Sequence, residues 1–384
     1  MTESMPRWRY VFADLLTDQT LAELPLTGVS FDRRIIVPGA FKASIPVPNT
    51  TVARQVQKAI PNSVHGLKSS GPGRTVLHVS RGREIWGSYI IWTADPQSDE
   101  RGRVSIAIQG AGLESYLHHR EIRDDQFFTA NDQTSEIAAT LILAMQGELV
   151  GNIGLLPNCP ASGVLRDREY RRSEANTYGK RLEELANVDD GFEYLINVYA
   201  DSNERVREFV TGYPQLGQAD VPHTLEQPGD VISWRWLLDA TSTATNWQTR
   251  GDSANSDVTE DSAPLMSGEF RADELLALGW PLLDGTRDYT SVIELPTLDA
   301  YARWWRDTRS GVVAIPEVTV RLPAQPSLTP QRLGDHARLR LHNVWWPDGF
   351  AARWRVVGME VIPRQRGQAQ DRAKLIFAAS DEEV

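Results

Sequence analysis

The chain has 384 residues, 41% of them hydrophobic and 24% charged, which is enough length for two or three domains and enough apolar material for a real core, so disorder over most of it is excluded. Forty basic against 51 acidic residues leave a net charge of −11, which excludes a surface built to grip nucleic acid, although nucleic acid could still pass without being held. The single cysteine, Cys159, excludes an internal disulfide and a zinc-finger cluster, and its Leu-Pro-Asn-Cys-Pro context offers no basic neighbour to activate the thiol.

No run approaches the ~18 apolar residues that span a bilayer. The first residues, Met-Thr-Glu-Ser-Met-Pro-Arg-Trp, lack the apolar stretch of a secretion signal, so synthesis and folding in the cytoplasm are expected. Thirty-five of the 40 basic residues are arginine, a bias that a GC-rich coding sequence produces.

Residues 1–117 read as antiparallel β-structure. Tyr10–Leu16 and Leu21–Leu26 are apolar runs around a hairpin-sized polar loop, Thr17–Thr20. Phe41, Ala43, Ile45 and Val47 alternate with Lys42, Ser44 and Pro46, giving one buried and one wet face. Thr75–Ser80 and Glu84–Trp92 meet at Arg81-Gly82-Arg83, and Val104, Ile106 and Ile108 alternate in the same way. Six to eight short strands with no helix-period segment predict a barrel or sandwich.

Residues 118–217 change character. Asp132 is placed to cap a helix with an apolar stripe of Ile137, Leu141, Met145 and Leu149. Ser173 is the expected cap of a second helix with Tyr178, Leu182 and Leu185 on one side, and Phe192–Ala200 with Arg205–Thr211 form a hairpin, completing a small α+β unit. Residues 218–384 return to β-structure: Val231–Leu238, Val318–Leu322, Ala337–Val344 and Ala351–Ile362 are strand candidates, the last two joined by a Trp346-Pro347-Asp348-Gly349 turn. Residues 249–263, with Asp252, Asp257, Glu260 and Asp261, read as a mobile acidic loop, and a short helix is expected near 297–307.

Catalytic signatures are missing. There is no phosphate-binding lysine loop, nucleophile elbow or His-Glu-x-x-His. Gly110-Ala111-Gly112 lacks the third glycine of a dinucleotide loop and follows an antiparallel-type strand. His118 and His119 are adjacent, so their rings diverge and a shared metal is not expected. Arg250-Gly251-Asp252 is a short chance match to an integrin tripeptide. No catalytic, cofactor or metal residue is assigned, and no enzymatic activity is expected. The 12 tryptophans carry the one positive signal. Rings at Trp234 and Trp236 share a strand face, whereas Trp304/Trp305 and Trp345/Trp346 diverge, so one of each pair faces outside its domain. Trp234, Trp304, Trp305, Trp345 and Trp346 are therefore candidate interface residues, with sugar binding as the competing role.

Three stretches carry a resemblance. Tyr10–Leu16 with Leu24–Phe31 and Gly39–Pro46, then Phe192–Tyr199 with Gly212–Gly217, then Gly334–Leu341 with Trp346–Gly349 and Trp354–Val361 resemble, in the same order, minor tail proteins of siphophages of actinobacteria. The resemblance implies a baseplate hub at the distal end of the tail tube, built as two β-barrel tail-hub domains plus a small α+β domain. It implies a homotrimer whose six barrels join a sixfold tube to a threefold tip and form the DNA conduit, between distal tail or tail-tube proteins above and tip or fibre proteins below. It places the protein in the virion tail tip, after synthesis in the host cytoplasm, with no membrane segment and no cofactor. Because the chain stops soon after the last expected barrel strand, lytic or receptor-binding modules are expected in partner proteins. The alternatives are a carbohydrate-binding adhesin using the tryptophans and a wall-hydrolase component, for which no catalytic constellation is visible.

Overall fold

The computed structural model describes residues 6–62, 70–188, 190–202, 204–218, 223–253, 264–289, 294–365 and 370–378. By packing, the chain forms two compact units: Met1–Trp234 with Val318–Val384, and Arg235–Glu317. The architecture is mainly β with an α+β insert, as expected.

Thirteen strands form one sheet, in the order Val231–Asp239, Val313–Arg321, Arg372–Phe377, Phe350–Ile362, Thr27–Arg34, Ala40–Val47, Val104–Gly112, Glu84–Ser98, Thr75–Arg81, Trp8–Asp14, Thr20–Glu23, with His223–Gln227 and His336–Leu341 branching off Phe350–Ile362. Among the described residues no pairing joins the two ends of this path into a closed barrel. The two β-rich thirds are continuous through Phe350–Ile362. Its first half pairs with His336–Leu341, ending at His336↔Arg355, and its second half pairs with Thr27–Arg34, starting at Gly358↔Arg34. A register shift between Val356 and Gly358 bends the strand where it passes from one neighbour to the other.

Three sequence expectations need correction. A helix, Thr50–Ala59, interrupts the first β-rich third. Asn49 caps it through the Val52 amide at 3.0 Å. Val52, Val56, Ala59 and Ile60 fall at helical spacing behind this cap, so the amphipathic stripe is present in the sequence and the all-strand expectation for this third is wrong at 50–59. The second helix of the insert is Tyr178–Ala186, capped by Thr177 rather than Ser173, which lies in a 3₁₀ turn at Arg172–Glu174. The expected face is correct, with Tyr178, Leu182 and Leu185 buried. Asp132 caps as expected, accepting from the Thr134 and Ser135 amides at 3.0 and 2.9 Å, but it opens a π-helical turn, Gln133–Ala138, before the α-helix Ala139–Gly147. Leu149 falls beyond the helix end and is exposed, so the buried stripe stops at Met145.

The insert has no core separate from the sheet. Ala13, Val76 and Ile90 belong to the same buried cluster as Leu141, Leu182, Phe192 and Phe209. The strand Thr75–Arg81 is accordingly buried at every position but Ser80, because both faces are covered.

Buried arginines tie the sequence regions of the first unit together. Arg33 donates to the carbonyls of Ile196 (2.8 Å) and Pro330 (3.1 Å) and to the side chains of Asn197 (3.0 Å) and Gln331 (3.2 Å). Arg81 pairs with Asp371, itself buried, and donates to the Pro323 carbonyl at 2.7 Å. Arg355 pairs with Glu193 and reaches the carbonyls of Gly334 (3.1 Å) and Leu216 (2.9 Å). Arg207 donates to the carbonyls of Leu15 (2.6 Å) and Ile153 (2.7 Å) and to Asp18 (2.6 Å).

Asp18 anchors the first hairpin loop to the insert. Its carboxylate meets Arg207 and Arg205 at 2.6 Å and His78 at 3.1 Å. Burial alone would raise this carboxyl, but the His78 hydrogen bond and the two guanidinium charges outweigh it and hold the pKa at about 2. Burial lowers the pKa of His78 itself, so the imidazole contributes as a hydrogen-bond partner and the arginines supply the charge.

The folded-state value lies below the ordinary 3.8, so the folded protein binds fewer protons in that window; the stability is present above about pH 4 and lost as the pH falls through 2. Asp18→Asn strands the buried Arg207 and is expected to cost about 3 kcal/mol at neutral pH. In urea unfolding, the gap between wild type and variant should close as the pH is lowered from 4 to 2; a gap independent of pH would remove Asp18 from this role.

Candidate functional site

The groups that carry chemistry in other proteins are here engaged as structural pins. His118 meets Glu183 at 3.2 Å, while the His119 ring stacks on Trp92 with centroids 4.1 Å apart and its Nδ1 lies 2.9 Å from the Ser115 carbonyl. The two rings go to different elements and are not brought together. Among the described residues no group of three His, Cys, Asp or Glu is placed to hold a metal ion. The Cys159 thiol is pushed up to about 11, chiefly by burial, which keeps it protonated at neutral pH.

Gly110 and Gly112 end a sheet strand; the Ile90 carbonyl packs against Gly110 and the Glu114 carboxylate fills the space beside Gly112, where a cofactor phosphate would need room. Glu114 is fully buried, its pKa raised by that burial, and it accepts from the Ile196 amide at 2.8 Å. Arg250 is paired with Asp288 at 2.7 Å. Of the acidic loop expected at 249–263, residues 249–253 belong to the strand Asn246–Ser253, and Asp257, Glu260 and Asp261 lie outside the described residues.

In each adjacent pair one tryptophan is more exposed than the other. At the turn after His336–Leu341, Asn343 Oδ1 accepts from the amides of Trp345 (2.9 Å) and Trp346 (3.2 Å). Gly349, at φ +87°, donates to the Trp346 carbonyl at 3.1 Å and sends the chain back into Phe350–Ile362. This geometry turns Trp346 inward. It packs on Trp234 (4.5 Å) and stacks on Phe350 (4.9 Å), and the series continues through Trp354 to Phe377. Trp345 and Val344 point out, 72% and 99% exposed. A shallow groove of about 530 Å³ lies alongside, lined by Glu226, Arg340, His342, Asp348 and Phe350.

The unit Arg235–Glu317 repeats the pattern. Its helix, Leu295–Arg309, is longer than expected and buries Leu298 and Ala302. Trp305 stacks on the buried Trp247 at 5.2 Å and donates to the Tyr289 hydroxyl at 2.8 Å, and the Arg287 guanidinium covers both indoles at 4.9 and 5.6 Å. Trp304 faces out, 46% exposed. Trp234, Trp305 and Trp346 thus hold aromatic clusters within the chain, and Trp304 and Trp345 are its outward members. The aromatic partners Tyr289, Tyr301 and Phe377 were not singled out in the sequence, because lone aromatics give no signal of their own.

Compared by sequence, the chain matches no protein-family model and no curated protein. Compared by structure, it has the fold of phage tail proteins. The 43 kDa tail protein of prophage MuSo2 from Shewanella oneidensis superposes with a TM-score of 0.58 at 12% identity, over 96% of this chain and 98% of that one. A tail protein from Neisseria meningitidis MC58 does so with a TM-score of 0.51 at 12% identity, over 96% of each chain. Prophage tail protein gp18 from Listeria monocytogenes EGD-e gives 0.50 at 10% identity, over 97% and 95%. At these identities the likeness is one of fold. Among the described residues no helix is long and apolar enough to cross a membrane.

The burial difference between neighbouring aromatics sets a prediction. Trp354→Ala, which empties a nearly buried site, is expected to cost about 3–5 kcal/mol in urea unfolding, whereas Trp345→Ala should stay within about 0.5 kcal/mol. Equal costs would show that Trp345 is packed in the isolated chain.

Proposed function

We propose that this chain is a structural protein of the tail tip of a siphophage of actinobacteria: a trimeric baseplate hub that joins the sixfold tail tube to a threefold tip and surrounds the path of the DNA. One observation carries the reading, the match in fold to phage tail proteins over nearly the whole of both chains. The outward Trp304 and Trp345 support it, because large exposed aromatics are characteristic of surfaces covered on assembly. The structural engagement of His118, His119 and Cys159 supports a scaffold rather than a hydrolase.

Three chains carry about −33 in total, three times the −11 of one chain. A conduit must pass DNA without holding it, and each lysine or arginine that meets a phosphate releases counterions and adds affinity. The reading therefore places acidic or neutral side chains on the axial surface, with the segment from Asp252 to Asp261 as a candidate, and arginines in contacts between subunits. Screening over about 8 Å at physiological salt leaves only the lining charges relevant to the DNA.

The test is mass in solution and a reconstruction of the assembled tail tip. A threefold ring around an axial channel is expected, with each pairwise interface burying well over ~2,000 Å²; a chain that is monomeric in the particle sinks the reading, and glycan capture or wall clearing by the purified chain would favour the adhesin or hydrolase alternatives. A channel lined by unpaired arginines would overturn the account of the charge. The double substitution His118→Ala and His119→Ala should leave assembly intact, and dependence of assembly on added zinc would contradict the structural role of this pair.

A further inference from the structure

Residues 137–165 contain one charged side chain, Glu148, in a chain that is 24% charged. Glu148 is engaged within the fold, paired with Arg120 and accepting from the Tyr178 hydroxyl at 3.1 Å. The large side chains this stretch turns outward are apolar: Leu143 (57% exposed), Leu149 (94%), Val150 (67%) and Leu156 (56%). On the helix Ala139–Gly147, which carries no charged residue, Thr140 and Gly147 are exposed at helical spacing beside Leu143. Loss of charge together with exposed large apolar side chains marks a surface that is covered in use.

The tip of this face is strained. Leu149 and Val150 are the central residues of a turn closed by the Gly151 amide on the Glu148 carbonyl at 2.9 Å. Both ends are pinned. Arg120 and Tyr178 hold Glu148, and the Tyr116 hydroxyl donates to the Gly151 carbonyl at 3.3 Å. Gly151 also packs so closely that a side-chain carbon there would lie 2.5 Å from the Met145 carbonyl oxygen. Val150 takes φ +56°, the left-handed region that suits glycine or asparagine at this turn position and strains a β-branched residue. In the single chain it buries little in return, being 67% exposed. A strained valine beside an almost fully exposed leucine, both held in a fixed position, has the build of a preorganised contact point whose strain is offset by what it touches on assembly.

We propose that Leu149 and Val150 of one copy dock on the outer row of the helix Ala139–Gly147, formed by Thr140, Leu143 and Gly147, in a second copy of this chain. Two properties of the face point to that occupant. First, the same stretch of sequence supplies both halves of the contact. The tip projects, and the helix leading into it offers a seat, because the position beside Gly147 is open, with nothing within 4 Å of an added side-chain carbon. Second, the face is uncharged while each copy carries −11, so like-charged copies meet through it with least repulsion; a basic partner or an ionic ligand would gain nothing from it. The contact is heterologous, tip against helix, and such contacts generate a ring when the rotation closes. The inference rests on the trimer reading above and names the surfaces that make the ring.

Two experiments on the full chain test it. In the first, Leu149→Ser and Val150→Asn are combined, and mass in solution is measured beside circular dichroism. Asparagine accepts the left-handed backbone and both side chains are exposed in the single chain, so a variant that keeps its circular dichroism spectrum and falls from trimer to monomer is expected. A wild-type trimer whose mass the variant retains overturns this inference and leaves the trimer reading standing. A variant that unfolds overturns it as well, because the tip then serves the single chain. A wild-type chain that is monomeric both free and in the tail tip overturns the trimer reading, and this inference with it. In the second, a photo-reactive benzophenone side chain replaces Leu149, and isotope-labelled and unlabelled chains are mixed before assembly and irradiated both free and in the tail tip. Cross-links from position 149 into residues 139–147 of the other isotope are expected. Links to another part of the second copy, to another tail protein, or none in a sample shown to be trimeric would overturn it.

Discussion

A buried guanidinium cannot be left without acceptors, and that constraint holds the first unit of this protein together. Arg33, Arg81, Arg207 and Arg355 are each buried and each reach backbone carbonyls contributed by distant parts of the chain. Arg33 alone requires the insert hairpin at Ile196 and the loop at Pro330 to be in place together. The energetic asymmetry is what matters. A satisfied guanidinium adds little net stability, but an unsatisfied one costs several kcal/mol. Loops with no regular structure of their own are therefore fixed by the donors they satisfy.

This gives the sheet its division of labour. The hydrophobic cluster that includes Val76, Leu141, Leu182 and Phe209 drives the insert onto the sheet without directional preference. The arginine forks supply the direction, because five N–H donors in a fixed plane accept only one arrangement of neighbouring carbonyls. Asp18 does the same from the opposite sign, drawing His78 from one strand and Arg205 and Arg207 from another onto one carboxylate. Four of the chain's 35 arginines are thus buried internal fasteners.

The unit Arg235–Glu317 follows another logic. Its core is a stack of aromatic rings with an arginine laid over it, Trp247, Trp305 and Arg287, rather than a packed aliphatic layer. Most of its leucines stay outside.

The sequence by itself determined the β-rich class, the Asp132 cap, most of the buried faces of the insert helices, the hairpin at 193–212, the Trp346–Gly349 turn and the divergence of the rings in the Trp304/Trp305 and Trp345/Trp346 pairs, though not which member of each faces out. All of these are local: alternation of period 2, a cap two or three residues from its amides, a glycine free to take positive φ, or two neighbours on opposite faces. The helix Thr50–Ala59 is likewise carried locally, by the Asn49 cap and by Val52, Val56 and Ala59 at helical spacing, while Thr177 rather than Ser173 caps the helix Tyr178–Ala186 because Ser173 lies in the preceding turn. Only the tertiary structure decided that Phe350–Ile362 joins the two β-rich thirds into one sheet, that Arg33 and Asp18 are hubs, and that Glu114 fills the space beside Gly112. The Arg33 and Asp18 contacts and the pairing of Phe350–Ile362 with Thr27–Arg34 depend on partners 60 to more than 300 residues away along the chain, as between Asp32 and Glu360. A polar side chain at a single position reads the same in sequence whether it meets water or a buried carbonyl, so its role appears only when the fold brings the partner to it.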